Sequence, residues 1–172
     1  MKKLQGKKIQ LRAMEPADID FLYEVENDTD IWTVSNTNSP FSLFYLEQYV
    51  KNSHNDIYSE KQLRLIIETT TGKPVGCIDL FEFDPKHLRA GIGILITAKE
   101  RKKGYASEAL DILINYSKEM LFLNQLFCNI DEDNKLSIKL FQDKGFEITG
   151  QKKKWLRRPD GFKDEYFLQL IF

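Results

Sequence analysis

The sequence predicts an α/β (α+β) domain, a mixed β-sheet flanked by helices. Three observations carry this reading. Strand patterns of period two and helix patterns of period 3.6 both recur along the chain. Strands at 62–68 and 75–83 are separated by Thr70-Thr71-Gly72-Lys73-Pro74, a turn, so they form an antiparallel hairpin. A strand at 89–97, a helix from about 104 to 121 and a strand at 125–130 form a crossover, which places parallel strands in the same sheet. The length of 172 residues fits one domain, 1–172, on a scale of ~100–200 residues per domain.

The elements follow in order. Residues 8–14 alternate apolar and polar, as a half-buried strand does. Glu15-Pro16-Ala17-Asp18 puts proline and acidic residues in a first helical turn, and Ile19, Leu22, Tyr23 and Val25 continue at helical spacing. Residues 27–40 are polar and turn-rich around Trp32, and read as a loop long enough to be functional. Ser42 caps a second helix with Tyr45, Leu46, Tyr49 and Val50 on one face. After the hairpin, Asp84-Pro85-Lys86-His87 turns the chain into strand 89–97. In the long helix Ala106, Ala109, Leu110, Leu113, Ser117 and Met120 step by three or four. A turn at 131–134 leads to a short helix, 135–143, with Leu136, Leu140 and Phe141 inward. Strand 145–149 follows, and Pro159-Asp160-Gly161 turns into a last strand, 163–171.

Composition excludes several functions. With 42% hydrophobic and 12% aromatic residues the chain can bury a core. Its 25 basic and 26 acidic residues nearly cancel, which removes the long-range cationic field of a nucleic-acid binder. Cys77 and Cys128 lie far apart without a CxxC partner, which argues against a disulfide framework or a Cys-rich zinc site. His54 and His87 are isolated, so no metal site is expected. No apolar run reaches the ~18–20 residues of a membrane span, and the Met1-Lys2-Lys3 start lacks a signal-peptide apolar stretch. A soluble protein in a reducing, cytoplasmic setting is expected.

The chemistry concentrates where strand Ile94-Leu95-Ile96 runs through a short turn into Arg101-Lys102-Lys103-Gly104-Tyr105-Ala106-Ser107. The first turn of a helix leaves N–H donors unsatisfied, and the macrodipole makes that end partly positive. Gly104 lets an anion approach the backbone. Basic residues are the wrong sign for a helix N-terminus unless an anion sits there, and that local conflict points to function. No Gly-x-x-x-x-Gly-Lys-Ser/Thr pattern occurs, so the phosphate is not that of a P-loop nucleotide.

Strand–Arg101-Lys-Lys-Gly-Tyr-Ala106–helix, followed by a strand and Asn134-Lys-Leu-Ser137-Ile-Lys-Leu-Phe141-Gln-Asp-Lys-Gly145-Phe146, resembles the GCN5-related N-acetyltransferases (GNAT) over nearly the whole chain. The branch it most resembles holds the spermidine/diamine and ribosomal-protein N-acetyltransferases. The resemblance implies acetyl-CoA as co-substrate. Residues Arg101, Lys102, Lys103, Gly104, Tyr105, Ala106 and Ser107 would hold its pyrophosphate, largely through backbone N–H groups. Ile94, Leu95 and Ile96 would pair their backbone with the pantetheine arm as an added strand. Gly91 and Gly93 suit a strand that splays at a bulge to admit it. Asn134 would cap the short helix and bond the pantetheine, and a plain N-cap carries the same letter. Ser137 lies one turn before Phe141, where its hydroxyl could serve the sulfur or simply pack.

Two positions depart from the family pattern. Phe141 stands where many members carry a tyrosine that protonates the departing thiolate, and Gly91 stands where many carry a glutamate. The carboxylate left for the acceptor side is Glu82, where the resembling polyamine enzymes place an acidic residue. Asp79 falls on the opposite face of a regular strand, so both could face the site only across a bulge. The function expected is acetyl transfer from acetyl-CoA to a small primary amine, a diamine or polyamine among them. N-terminal acetylation of a protein and a CoA-binding module with little catalysis are the alternatives. The partner is then a small amine or a peptide N-terminus, with no nucleic acid and no membrane, and a homo-oligomer is compatible with the sequence.

Overall fold

Seven strands form one sheet in the order β1-β2-β3-β4-β5-β7-β6 in the computed structural model, which describes residues 4–35, 37–53 and 55–172, the side chains of 33 and 34 excepted. The strands are β1 (Ile9–Arg12), β2 (Leu63–Thr69), β3 (Pro74–Asp84), β4 (Arg89–Ile96), β5 (Gln125–Asp131), β6 (Glu147–Arg158) and β7 (Gly161–Ile171). Only β4 and β5 run parallel; every other neighbouring pair is antiparallel. The helices are α1 (Ile19–Glu26), α2 (Thr29–Ser35), α3 (Leu43–Asn52), α4 (Ile57–Glu60), α5 (Tyr105–Glu119) and α6 (Lys135–Gln142). His54 and the lysine-rich start lie outside the described residues.

Each sheet face has its own core. Leu65, Ile67, Ile78, Leu80, Ile92, Leu126 and Leu168 pack with Ala109, Leu110 and Leu113 of α5 and Ile138 and Phe141 of α6. On the other face Ile66 and Cys77 pack with Leu22 of α1 and Leu46 and Val50 of α3. The alternation of strand side chains produces this division: neighbours in β2 and β3 fall in different clusters.

Four expectations need correction. Residues 27–40 are not a single loop, because α2 occupies Thr29–Ser35. Asp28 Oδ1 accepts the Asp30 N–H, and the Trp32 indole donates to Glu26 O at 2.8 Å, so polar side chains start and anchor this helix. Leu136 points outward at 84% exposure, and Ile138 takes the inward place with Phe141. Met120 is also exposed, since α5 ends at Glu119. The last hairpin is longer than the turn residues suggest, with β6 running to Arg158 through a bulge between Lys152 and Leu156.

The feature that positions the site is the short contact between β4 and β5. They pair only at Arg89↔Gln125, Ala90↔Leu126 and Gly91↔Phe127, although β4 continues to Ile96 and β5 to Asp131. Beyond Gly91 the two strands part, so one edge of β4 carries backbone groups without a sheet partner. Along β4 the register with β3 is regular through Gly91 and Gly93. The bulge expected beside these glycines lies instead in β3, where Glu82 and Phe83 together oppose Ala90 between the pairs Phe81↔Gly91 and Asp84↔Arg89.

Candidate active site

The parted strands lead directly into the turn that opens α5. Ile94 and Leu95 are half-buried and Ile96 is buried at the end of β4. The chain then makes a single turn of tight helix at Ala98–Glu100 and passes through Lys102, whose φ of 64° is left-handed. Gly104 is the N-cap of α5 with φ 85°, a conformation that favours glycine. The first bond of the helix runs from Glu108 N–H to Gly104 O at 3.2 Å. The N–H groups of Tyr105, Ala106 and Ser107 precede it and have no acceptor among the described residues. Three donors at the positive end of a 15-residue helix, with no Cβ at position 104, form a concave, electropositive helix start of the kind that suits an anion.

The basic side chains of this turn divide their work. Arg101 Nε donates to Ile96 O at 3.1 Å and so ties the turn to the strand end. Lys103 Nζ pairs with Glu100 at 2.7 Å, and Lys73 Nζ pairs with the same carboxylate at 2.6 Å. Hydrogen bonds from Lys103 and then Lys73 hold the Glu100 carboxyl below its ordinary pKa. Lys8, absent from the sequence-based set, donates from Nζ to Lys103 O at 3.1 Å and stands 3.3 Å from where a Cβ on Gly104 would be. Lys8 precedes β1 and Lys73 lies in the β2–β3 turn, far apart in sequence, so only tertiary structure shows that they join the turn. An exposed cavity of about 580 Å³ opens between Lys8, Thr70, Lys73, Lys103 and Tyr105.

On the far side of the parting, Asn134 Oδ1 accepts the Ser137 N–H at 3.2 Å and caps α6. Phe141 is buried with its ring edge-on to Phe146, centroids 5.1 Å apart. Ser137 is half-buried on the same helix.

The opposite sheet face carries a row of aromatic side chains. Cross-strand partners share a face, so Asp79 and Gly93, then Phe81, Gly91 and Phe127, then Asn129 and Phe167 lie on one surface. Phe81 and Phe127 meet edge-on at 6.0 Å, and Phe127 and Phe167 are tilted by 33° with centroids 5.5 Å apart. An ideal Cβ on Gly91 would lie 2.2 Å from a carbon of the Phe81 ring, so that ring occupies the space of a side chain at 91. Arg64 stands at one end of this row. It bonds Asp79 through Nε at 2.6 Å and reaches Glu26 of α1 through Nη1, with its guanidinium 5.8 Å from the Tyr49 ring. Burial works to lower the Arg64 pKa, but the Asp79 carboxylate overrides it and holds the guanidinium well above its ordinary range. Burial pushes Tyr49 up to about 12 against the opposing pull of Arg64, so the phenol stays protonated at neutral pH. At the other end Lys152 Nζ bonds Asn129 and Glu165, each at 2.8 Å.

Glu82 sits in the β3 bulge with φ 48°, exposed, and its carboxylate has no partner among the described residues. The bulge breaks the strand alternation that separates it from Asp79: Phe83, not Glu82, takes the next core position. Asp79 is engaged by Arg64 while Glu82 is free to meet a ligand. Burial pushes the thiols of Cys77 and Cys128 up to about 12, so both stay protonated near neutral pH. His87 is exposed on the β3–β4 turn, its backbone N–H bonded to Asp84.

Comparison with known proteins agrees with this geometry. The acetyltransferase (GNAT) domain family matches residues 8–147. Spermidine N(1)-acetyltransferase of Escherichia coli (strain K12) is 24% identical over 146 residues, covering 83% of this chain and 75% of that protein. An uncharacterized N-acetyltransferase, p20 of Bacillus licheniformis, is 28% identical over 173 residues, 99% of this chain and 97% of its own. The crystal structure of spermidine N-acetyltransferase from Vibrio cholerae in complex with CoA and spermine superimposes with a TM-score of 0.86 at 21% identity, over 95% of each chain. The family match spans most of the sequence and the fold is shared from end to end, so the chain belongs to the GNAT acetyltransferases and is an acyltransferase that takes its acetyl group from acetyl-CoA.

Proposed function

We propose that this acetyltransferase transfers the acetyl group to a small primary amine, with Glu82 receiving the amine. The observation that carries the reading is the unpaired Glu82 carboxylate in the β3 bulge, one register step from Gly91, where β4 and β5 part. Acetyl-CoA supplies an acetyl thioester: the neutral amine nitrogen forms the C–N bond as the C–S bond breaks, and the proton the new amide sheds goes to the departing thiolate, which leaves as the thiol. The amine arrives as an ammonium and must lose a proton before it can attack. A carboxylate acts twice here, by attraction and as the group that takes the proton. The turn at Arg101, Lys102, Lys103 and Gly104, with Tyr105, Ala106 and Ser107, holds the pyrophosphate by backbone donors. The free edge of Ile94, Leu95 and Ile96 pairs with the pantetheine. Asn134, Ser137 and Phe141 line its other side.

Neither Phe141 nor Gly91 offers a proton, and orientation supplies the difference, worth up to ~7–11 kcal/mol in well-placed reactions. A thiol with an ordinary pKa of ~8.5 leaves adequately near neutral pH without a dedicated acid. The relatives named for spermidine support an amine acceptor and make di- and polyamines the first compounds to assay.

The test is Glu82→Gln. The acceptor KM should rise, or the pH–rate profile should move to higher pH, while acetyl-CoA affinity holds. Unchanged kinetics across pH would reduce Glu82 to a surface charge. Asp79→Asn is a different experiment, since it removes a partner of Arg64 and is read in stability.

A further inference from the structure

We infer that Lys152 is a specificity-determining residue: its ammonium occupies a cation site built by Glu165, Asn129 and Trp155, and closes that site to the second ammonium of a diamine acceptor. The inference rests on the proposed amine acceptor and deepens it.

Lys152 Nζ donates to Glu165 Oε2 and to Asn129 Oδ1, each at 2.8 Å, and lies 5.3 Å from the centre of the Trp155 ring. A carboxylate, an amide oxygen and an aromatic ring all attract an ammonium, and here the three converge on one. Glu165 is only 7% exposed, whereas 37% of the Lys152 side chain is exposed, so the carboxylate is shielded while its occupant is within reach of solvent. Cross-strand pairing accounts for Lys152 and Glu165, which are register partners, but not for the other two groups. Asn129 comes from β5. Trp155 comes from a bulge in which residues 153–155 stand opposite Asp164 alone, with Lys154 left-handed and its N–H bonded to Asp164 Oδ1 at 2.8 Å.

The site lies beside the opening. Gly91 and Phe127 form the last pair between β4 and β5, and Gly93 and Asn129 are the next positions on the same face. Gly93 puts no side chain between the opening and Asn129. The other carboxylates around this face differ in availability. Asp79 and Glu26 are held by Arg64, and Asp131 is held by Arg158. Glu82 and Glu147, the latter in register with Gln169, are exposed and open to an ammonium, but a fully solvated carboxylate holds one weakly. Glu165 is better shielded than either, and Lys152 decides whether a ligand reaches it.

The experiment is a steady-state assay with acetyl-CoA and a thiol reagent on propylamine to hexylamine and the α,ω-diamines of the same lengths. The readout is kcat/KM of each diamine relative to its monoamine. We expect Lys152→Met to raise this ratio about tenfold for the diamine whose length spans the site, the scale of a charged hydrogen bond. Lys152→Gln, which keeps a donor without the charge, should raise it less and serves if the first variant does not fold. Lys153→Met removes the same charge from the neighbouring exposed position and should leave the ratio at the parent's value, which separates an emptied site from a change in net charge. The same diamine should raise the melting temperature of Lys152→Met more than that of the parent, since it gives Glu165 a partner again. A ratio unchanged in Lys152→Met, or raised equally by Lys153→Met, overturns the inference, reduces Lys152 to a cross-strand ion pair and leaves the amine reading intact. Absence of turnover with every amine in parent and variants, while acetyl-CoA still binds, overturns the amine reading itself and this inference with it.

Discussion

The backbone of Gly91 lies directly under the Phe81 ring, so a side chain at 91 and a phenylalanine at 81 compete for the same space. Gly91→Ala must push the ring toward the groove, and overpacking of this kind costs about 1–3 kcal/mol. The expected result is a lower urea midpoint for Gly91→Ala, partly restored when Phe81→Leu is added. Additive effects of the two changes would show that the ring moves aside freely. Next to this ring, Glu82 sits on a bulge that breaks the core alternation of β3, and Phe83 takes the core position.

At the scale of elements, Arg12 joins three segments. It bonds Asp18 in the turn before α1 at 2.7 Å and Glu68 on β2 at 2.7 Å, while Gln10 Nε2 donates to the same Glu68 at 2.5 Å. Burial alone would raise the pKa of Asp18, but its hydrogen bonds from Arg12 and from the Glu15 N–H bring it below the ordinary value. Glu68 is likewise lowered, by Arg12 and Gln10 against burial. Both folded carboxyls therefore bind protons less tightly than the unfolded ones. Their contribution is present above the unfolded carboxylate range near ~4, and is lost as pH falls through the lower folded values. Arg12→Met should abolish this rise in stability with pH. It should also lower stability at pH 7 by about 2–3 kcal/mol, below the figure for a fully buried pair because Arg12 is partly exposed. Urea unfolding between pH 3 and 7 reads both effects, and a variant that keeps the parent's acid slope would refute the assignment. The Arg12 ties were not legible in the sequence, whereas most strands, α5 and the Asn134 cap follow from period, turn residues and capping. Helix α2 was hidden because Asp28 and Trp32 anchor it by side-chain bonds that composition reads as loop. The support of the anion turn by Lys8, Lys73 and Glu100 was invisible, since these residues meet only after β1, β3 and β4 are assembled.

Over the whole molecule, the parting of β4 from β5 divides the sheet into two sets of strands that remain joined through three residue pairs. Both sheet faces are packed, by α5 and α6 on one side and by α1 and α3 on the other, so the opening is held by the cores and does not depend on a ligand. An opening of this kind leaves β4 amides without acceptors on the side away from β3, and such amides exchange with solvent by local rather than global unfolding. In the free protein, amides of residues 92–96 that are not bonded to β3 should exchange quickly, whereas their neighbours bonded across β3 should exchange slowly. Saturation with acetyl-CoA should slow the first group, as strand addition by the pantetheine supplies their acceptors. Gly104→Asp puts a side chain and a negative charge into the cradle at a left-handed φ, and should remove both acetyl-CoA binding in calorimetry and the protection of residues 92–96. If these amides are already protected in the free protein, or if Gly104→Asp binds acetyl-CoA as the parent does, the donor does not lie along this edge, and the turn at Gly104 would then be a helix start without a ligand.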